Sequence, residues 1–281
     1  MKQILFCLFF LTCASSVFAQ TFHLSSELDE ISGIDFLNDS TIVAINDGGN
    51  EPLLFLLDLK GKIRSVVKVD DAKNHDWEDI TVDDKHIYIG DIGNNLNSRK
   101  NLVIYKVKIK DVLEKKKVEA KKIKFDYKEQ KEFPPGKKGK FFDAEALAVH
   151  NDTLYLFTKN RAKQSDGNCL VYKIPTKPGE YTVSISDKIF IGTGGFWSDA
   201  LTAADVVDDE FFLMTYNRVV IKKLVNGKFV GDENINFKTF SQKESLVVKS
   251  KMEIYVADEK QIMLGGPRMY HIDVNDIRDE D

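Results

Sequence analysis

Five copies of one short motif organise this chain. Each copy has a small or acidic residue, an alternating apolar run, a polar turn that is usually Asn/Asp, and a second apolar run. The copies read SGIDFLNDSTIVAIND (32–47), EDITVDDKHIYIGD (78–91), EALAVHNDTLYLFTK (145–159), ADVVDDEFFLMTY (204–216) and ESLVVKSKMEIYVAD (244–258). Alternation on both sides of such a turn predicts a β-hairpin, and its recurrence predicts the blades of a β-propeller.

Further strand-like runs follow each copy, so each repeat predicts a four-stranded blade. The fifth copy is followed by one such run, RMYHIDV, and is therefore one strand short. Residues 21–24 supply the missing strand, because a closing strand removes the open edge of a circular sheet structure. We predict an all-β propeller of five four-stranded blades in a single domain, residues 20–281. Six blades remain the alternative if a long interval between copies holds a degenerate blade.

The N-terminal 19 residues have the pattern of a signal peptide. Lys2 provides the positive charge, residues 4–11 form the apolar region, and residues 17–19 fit a small-x-small cleavage site, so the mature chain is expected to begin at Gln20. This predicts export to the periplasm or the extracellular space. A lipid anchor on Cys13 is the alternative.

Composition excludes several classes of partner. The net charge is −4 and becomes −5 without the signal peptide, so no nucleic-acid partner is indicated. No stretch is long and apolar enough for a membrane span. Cys169 is the one cysteine left in the mature chain, so no intrachain disulfide is expected and the fold depends on core packing and sheet closure. We expect a monomer.

The ends of each motif copy are expected to meet on one face of the disc. An innermost strand begins at this face, turns at the opposite face, and the second strand returns to it. The Asn/Asp turns therefore mark the opposite face and are structural, because these residues tolerate left-handed backbone. The strand starts bring Glu78, Glu145 and Glu244, the strand ends bring Asp47, Asp91, Lys159, Tyr216 and Asp258, and Asn94, Arg161 and Trp77 lie close by.

Three glutamates on one ring repel each other unless a cation or a proton offsets them. Oxygen ligands without nearby Cys or His favour Ca²⁺ before Mg²⁺, so Glu78, Glu145 and Glu244 are the predicted metal ligands. Two alternatives stay open: each glutamate caps the neighbouring blade by accepting from backbone N–H groups, or contacts a substrate directly. Trp77 and Trp197 either pack between blades or form an aromatic wall for a planar ligand.

The chain lacks the sequence patterns of common catalytic and nucleotide-binding sites. It has no GxSxG element and no phosphate-binding GxxxxGK[ST] sequence, and its five histidines do not fall at metal-ligand spacing. Cys169 has no evident histidine partner and is interpreted as an inert thiol.

The phrases INDGGNEP, DWEDI, YIGDIGNN, DAEAL and LYLFTKN resemble a group of uncharacterised exported bacterial β-propellers. This group is similar in design to gluconolactonase-like, strictosidine-synthase-like and phytase-like propellers. The resemblance to gluconolactonase-like enzymes implies a divalent metal held at the axis by glutamates at the start of innermost strands, the kind of position that Glu78, Glu145 and Glu244 occupy. The resemblance to phytase-like propellers implies Ca²⁺ held by acidic residues such as Asp47, Asp91 and Asp258.

Three hypotheses of function follow, and whether the protein is an enzyme stays open. The first is an exported propeller that binds a small molecule, a glycan or a protein on its polar funnel face, with Asp258, Tyr216, Asn94, Arg161 and Trp77 as ligand-binding residues. The second is a metal-dependent hydrolase of small esters, lactones or phosphoesters, in which Asp91 or Asp47 acts as base and Lys159 stabilises negative charge. The third is a purely structural interaction module.

Overall fold

The structure, a computed structural model, describes residues 20–237, 241–261 and 265–275. A short strand, β1 (Gln20–His23), and a 3-10 turn at Ser26–Leu28 precede the first repeat. The first repeat forms β2 (Ile31–Asn38), β3 (Thr41–Asn46), β4 (Leu53–Asp58) and β5 (Ile63–Asp70). The second forms β6 (Trp77–Val82), β7 (His86–Asp91), β8 (Val103–Lys108), α1 (Ile109–Glu114), β9 (Lys117–Glu119) and β10 (Lys121–Tyr127).

The remaining repeats continue the same pattern. The third forms β11 (Asp143–His150), β12 (Thr153–Lys159), β13 (Asn168–Pro175), β14 (Gly179–Val183), β15 (Ile185–Phe190) and the short helix α2 (Phe196–Asp199). The fourth forms β16 (Leu201–Val207), β17 (Glu210–Thr215), β18 (Arg218–Val225) and β19 (Lys228–Asn236). The fifth forms β20 (Lys243–Ser250), β21 (Glu253–Asp258) and β22 (Arg268–Asp273).

These strands form a five-bladed β-propeller, as predicted. The innermost strands β2, β6, β11, β16 and β20 contact one another in a closed ring, which leaves no place for a sixth blade among the described residues. In the fifth blade β1 pairs with β22, with Gln20 opposite His271 and His23 opposite Arg268. The prediction of an N-terminal closing strand is therefore confirmed.

Two of the five sheets gain a fifth strand from the following repeat. After the helix α1, β9 joins the outer edge of the first blade in parallel with β5. The outer strand β14 likewise crosses over and pairs in parallel with β10 of the second blade. In the fourth blade the outer strand is β19, which ends at Asn236.

Apolar side chains fill the space between blades. Five buried clusters each span two neighbouring blades, so the core is a ring of interfaces and not one central core. Trp77 is fully buried in the cluster between the first and second blades, where its ring centroid lies 6.0 Å from that of Tyr105. Burial of this kind is the main stabilising contribution in stacked sheets.

Buried aspartates tie the innermost strands to each other. Asp35 on β2 accepts a hydrogen bond from the backbone N–H of Val82 on β6 at 2.6 Å. Asp79 on β6 accepts from Leu147 N–H on β11, and Asp205 on β16 accepts from Val248 N–H on β20. Burial raises the pKa of all three carboxyls, to about 7 for Asp205. Acids of one blade therefore do cap the neighbouring blade, and these acids are aspartates on the innermost strands.

The hairpin turns on the face opposite the funnel have the backbone conformation that the sequence predicts. Asn151, Asp152 and Asp208 adopt left-handed backbone at the hairpin turns, which explains why the repeat uses Asn and Asp there. Cys169 is buried, and burial raises the pKa of its thiol to about 12, which disfavours the reactive thiolate. Within the described residues no helix is long and apolar enough to cross a membrane. The predicted signal peptide lies outside those residues.

Candidate functional site

A β-bulge opens every innermost strand on the funnel face. In each blade one residue near the strand start is left out of the pairing with the second strand; these residues are Ser32, Glu78, Glu145, Thr202 and Glu244. A bulge turns its extra residue out of the regular ladder, and bulges often aim side chains at sites. In the fourth copy of the motif, the residue equivalent to the glutamates is therefore Thr202, two residues before Ala204, where the sequence analysis began that copy.

Four of the five bulged residues line a small acidic cavity at the funnel mouth: Ser32, Glu78, Glu145 and Glu244. Its volume is ≈ 180 Å³. The lining includes five carboxylates and two cations: Asp47, Glu78, Glu145, Glu244 and Glu259, with Lys159 and Arg161. The three predicted glutamates thus lie around one cavity, together with Asp47, Lys159, Tyr216 and Arg161. The excess of acid makes this cavity a candidate cation site.

On one side of the cavity, cations neutralise the charge of the carboxylates. Glu145 accepts from Lys159 Nζ at 3.0 Å and from Arg161 Nη2 at 2.7 Å. Lys159 also contacts the Tyr216 hydroxyl at 3.3 Å, and that hydroxyl donates to Glu244 Oε1 at 3.0 Å. Burial alone would raise the pKa of Glu145, but attraction to Lys159 and Arg161 outweighs it and lowers the pKa. Glu145 is therefore an ionised partner of buried cations.

The other side of the cavity has a cluster of three acids with one cation beside it, Arg99, whose Nη1 lies 3.8 Å from Asp76 Oδ2. Asp47, Asp76 and Glu78 each bring a carboxylate oxygen within 4.8 Å of the others. Glu78 is 8% exposed, and it makes no hydrogen bond or ion pair with any residue in the described ranges. Burial, and then repulsion from Glu145, raises the pKa of Glu78 well above its usual range. Burial also raises the pKa of Asp47 to about 7.

Two loops hold this cluster in place. The backbone carbonyl of Asp76 accepts from Ile92 and Gly93 N–H, both at 3.1 Å, which joins the strand start to the loop after β7. The Asn74 side chain donates to the backbone carbonyl of Asp47 at 2.8 Å. A Cβ atom on Gly93 would overlap Glu78 Oε1 and lie 2.6 Å from Asp76 Oδ2, so only glycine allows the carboxylates to come this close.

Two of the predicted site residues belong to this supporting structure and not to the cavity lining. Asp91 is fully buried, and its carboxylate accepts from His75 Nδ1 at 3.0 Å and Arg99 Nη2 at 2.6 Å. Asn94 is buried, and its backbone N–H donates to Asp143 at 2.6 Å. Neither side chain can reach the funnel, so the roles of Asp91 as base and Asn94 as ligand contact do not fit the structure.

Two further predicted residues lie outside the cavity. Trp77 packs between blades and donates its indole N–H to the Lys73 carbonyl at 3.1 Å, so it cannot form a wall for a ligand. Asp258 is buried and accepts from Ser241 Oγ at 2.9 Å and the Tyr270 hydroxyl at 2.8 Å. Trp197 differs from Trp77: it is 61% exposed and its ring lies 5.5 Å from that of Tyr216 at the funnel rim.

The sequence interpretation also missed two acids, Asp76 in the acidic cluster and Glu259 in the cavity lining. Asp76 stood next to a predicted strand start but was not assigned as a ligand. Glu259 lines the cavity, and burial raises its pKa to about 8. It follows the last residue of β21, as Asp47 follows β3 and Tyr216 follows β17. Glu259 could have been predicted from this position in the sequence, one residue after the second strand of its blade.

The fold and its acidic funnel define the class of protein, a five-bladed β-propeller with a candidate cation site. No family model matches the chain, and no curated protein matches it in sequence. Its fold is similar to that of other β-propeller proteins. One is a glutaminyl cyclase of Myxococcus xanthus, with 9% identity, coverage of 91% of this chain and 94% of that chain, and a TM-score of 0.54. Another is an aldose sugar dehydrogenase of Streptomyces coelicolor in its PQQ-bound form, with 10% identity, coverage of 92% and 98%, and a TM-score of 0.51.

A gluconolactonase of Xanthomonas campestris is also similar, at 12% identity and a TM-score of 0.43, over 83% of this chain and 68% of that chain. Identities this low show a shared fold and say nothing of shared chemistry. The function of this chain has to be argued from its own funnel.

Proposed function

We propose that this propeller binds a divalent cation at Asp47, Asp76 and Glu78 and uses it to hold a small ligand in the funnel. The observation that carries the proposal is the Glu78 carboxylate, which is buried, turned into the cavity and without a partner among the described residues. A buried carboxylate without a partner is costly. A cation shared with Asp47 and Asp76 would remove that cost.

The ligand atoms favour Ca²⁺ over Mg²⁺ and over transition metals. The cluster consists of carboxylates alone, which are hard oxygen ligands. Ca²⁺ takes about six to eight oxygen ligands in flexible geometry, so three carboxylates leave positions for water and for a ligand. Mg²⁺ demands a near-ideal octahedron and gives up its waters reluctantly.

The size and charge of the cavity favour a small anionic ligand over a glycan or a protein. The funnel cavity of ≈ 180 Å³ holds a small group and not an extended surface. A bound cation offers open positions to a carboxylate or phosphate, and Arg161 and Lys159 line the same cavity. Arg161 has five N–H donors, which suit planar anions.

Calorimetric titration with CaCl₂ after EDTA treatment tests the proposal. We expect one Ca²⁺ per chain, and an affinity at least about tenfold weaker in Glu78→Gln, a loss of about 1.4 kcal/mol. The matched control is Glu114→Gln, which changes an exposed glutamate at the end of α1. Equal affinity in wild type and Glu78→Gln, or no binding by wild type, contradicts the proposal.

A metal-dependent hydrolase is the second candidate, favoured by one observation. Glu244 faces the same cavity, and burial raises its pKa to about 7, which suits a group that exchanges protons at neutral pH. Lys159 faces the cavity as well and is suited to stabilise negative charge. Ca²⁺-dependent turnover of p-nitrophenyl acetate, p-nitrophenyl phosphate or a lactone, lost in Glu244→Gln, would support it. Absence of turnover with all three substrates would leave the binding function alone.

We further propose that the protein is exported and acts as a monomer. The signal-peptide pattern of residues 1–19 supports export. N-terminal sequencing of the protein from the expressing cells should find Gln20 as the first residue, and light scattering should find one chain per particle.

A further inference from the structure

A second cavity lies beside the funnel, between the third and fourth blades. Its volume is ≈ 480 Å³, within the range of small-molecule sites. One wall is the loop from β12 to β13, residues 160–167. The other wall is the segment from β15 to β16, residues 191–200, which contains α2.

Close contacts between the two loops hold this side cavity open. The carbonyl of Gly167 accepts from Ile191 N–H at 2.8 Å and from Gly192 N–H at 3.4 Å. Gly167 has a left-handed φ of 74°, and a Cβ there would overlap the Gly192 carbonyl. Arg218 Nη2 donates to the Ile191 carbonyl at 2.8 Å and pairs with Asp199. The walls are therefore fixed before any ligand arrives.

Apart from Arg161, Asp199 and the exposed Lys163, the side cavity is lined by groups that suit an uncharged polar body. Thr158 and Ser165 each accept a backbone N–H on their hydroxyl oxygen, from Leu170 and Gly167. Neither hydroxyl donates to any residue in the described part of the chain, so both O–H groups are available. Thr158 is 1% exposed, which makes an unused donor costly without a ligand or water. Asp199 is the one carboxylate in the lining, and Arg218 neutralises it.

Two residues belong to both cavities. Arg161 and Phe196 line the funnel and the side cavity, with the guanidinium carbon of Arg161 5.5 Å from the centroid of the Phe196 ring. Arg161 uses donors on Nε and Nη2 for Asp143 and Glu145, and its Nη1 donors make no hydrogen bond within the described ranges. A ligand that crosses from one cavity to the other therefore passes a cation and an aromatic face.

We propose that the two cavities form one binding site for a small organic anion with an uncharged body rich in hydroxyl or amide groups. The carboxylate or phosphate of this anion occupies the funnel, beside the cation and Arg161. Its body lies in the side cavity, against Phe196 and the hydroxyls of Thr158 and Ser165. This assignment deepens the proposed function and rests on it, because the cation holds the anionic group.

Calorimetric titrations with four probes in saturating CaCl₂ test the assignment. Acetate and inorganic phosphate represent the anionic group alone. D-glucuronate adds a body with hydroxyl groups, and N-acetyl-L-alanine adds one with an amide. We expect one of the two larger probes to bind at least about tenfold more tightly than acetate, which is about 1.4 kcal/mol. The one that does so identifies the type of body.

Thr193→Trp fills the side cavity from an exposed position, and Ser40→Trp places the same side chain in an exposed turn on the opposite face. Thr193→Trp should abolish the advantage of the larger probe and leave acetate binding unchanged, while Ser40→Trp should change neither. Equal affinities for all four probes, or an advantage that survives Thr193→Trp, would overturn the second subsite but not Ca²⁺ binding. Larger probes that bind equally well in EDTA would instead support the side cavity and contradict the role of the cation.

Discussion

Replacing Glu78 by glutamine is expected to stabilise the cation-free protein while weakening its binding of Ca²⁺. Without a cation, the Glu78 carboxylate is buried and is repelled by Glu145, Asp47 and Asp76. Such a group either stays ionised at a high cost or takes up a proton. Glutamine has nearly the same shape and no charge, so it removes this cost.

The cost of protonation limits the size of the effect. The ordinary pKa of a glutamate is 4.5. Protonating it at pH 8 costs about 5 kcal/mol, since each pH unit is worth about 1.4 kcal/mol. Because Asp47 and Asp76 remain, we expect a gain of about 2–4 kcal/mol at pH 8 in EDTA, and less than about 1 kcal/mol at pH 5. For a domain of this size each kcal/mol raises Tm by about 2–4 °C.

Differential scanning calorimetry in EDTA at both pH values measures this gain, and Glu145→Gln is the matched comparison. Both substitutions change a bulged glutamate in the same funnel. Glu145→Gln, however, leaves Lys159 buried without its carboxylate, and we expect a loss of about 3–5 kcal/mol. The reasoning is refuted if Glu78→Gln lowers Tm at pH 8 as Glu145→Gln does, or if its gain is the same at pH 5.

Three further predictions concern Gly93, the buried Asp205 of the innermost strands, and the closure of the fifth blade by β1. Gly93→Ala should weaken Ca²⁺ binding in calorimetry at least about tenfold without changing any charge, because its Cβ would push Glu78 and Asp76 apart; unchanged affinity would contradict the packing argument. Burial raises the pKa of Asp205 from 3.8 to about 7, so the folded state holds the proton of this carboxyl more tightly than the unfolded state does. The stability that the protonated carboxyl contributes is therefore lost as pH rises from about 4 to 7. The Tm advantage of wild type over Asp205→Asn should therefore shrink across that range, and a constant difference would argue against it. Deleting Gln20–His23 should lower Tm and promote association in light scattering, because it exposes the edge of β22; an unchanged monomer would count against closure by this strand.

The sequence predicted the architecture because the relevant signals are local. Four of the five hairpin turns carry their own Asn or Asp, as Asn151 and Asp152 illustrate, and each strand carries its own alternation. The closing strand was predictable because the fifth blade was short of one run. The parallel strands β9 and β14 were not, since each pairs with an outer strand of a preceding blade and a single segment gives no sign of such a crossover.

The candidate site was predicted in location but not in chemistry. Glu78 and Glu145 occupy the same place in the motif, yet one is without a partner and the other binds Lys159 and Arg161. The difference comes from neighbouring blades: Asp47 and Asp76 approach Glu78, while the cations approach Glu145. Repeat position tells where a side chain lies along its own blade, and the charge of the residues that face it depends on contacts distant in sequence.

The pairing of β1 with β22 has a kinetic consequence. The first described strand can find its partner only when nearly the whole chain is present, so the ring closes by a contact of very high sequence separation. Such contacts form slowly, because the entropy of closing the loop is lost before the contact is gained. Until β1 pairs with β22, the blades form an open arc with exposed strand edges. Folding of this propeller should therefore be limited by its last step, and refolding yield should fall as protein concentration rises.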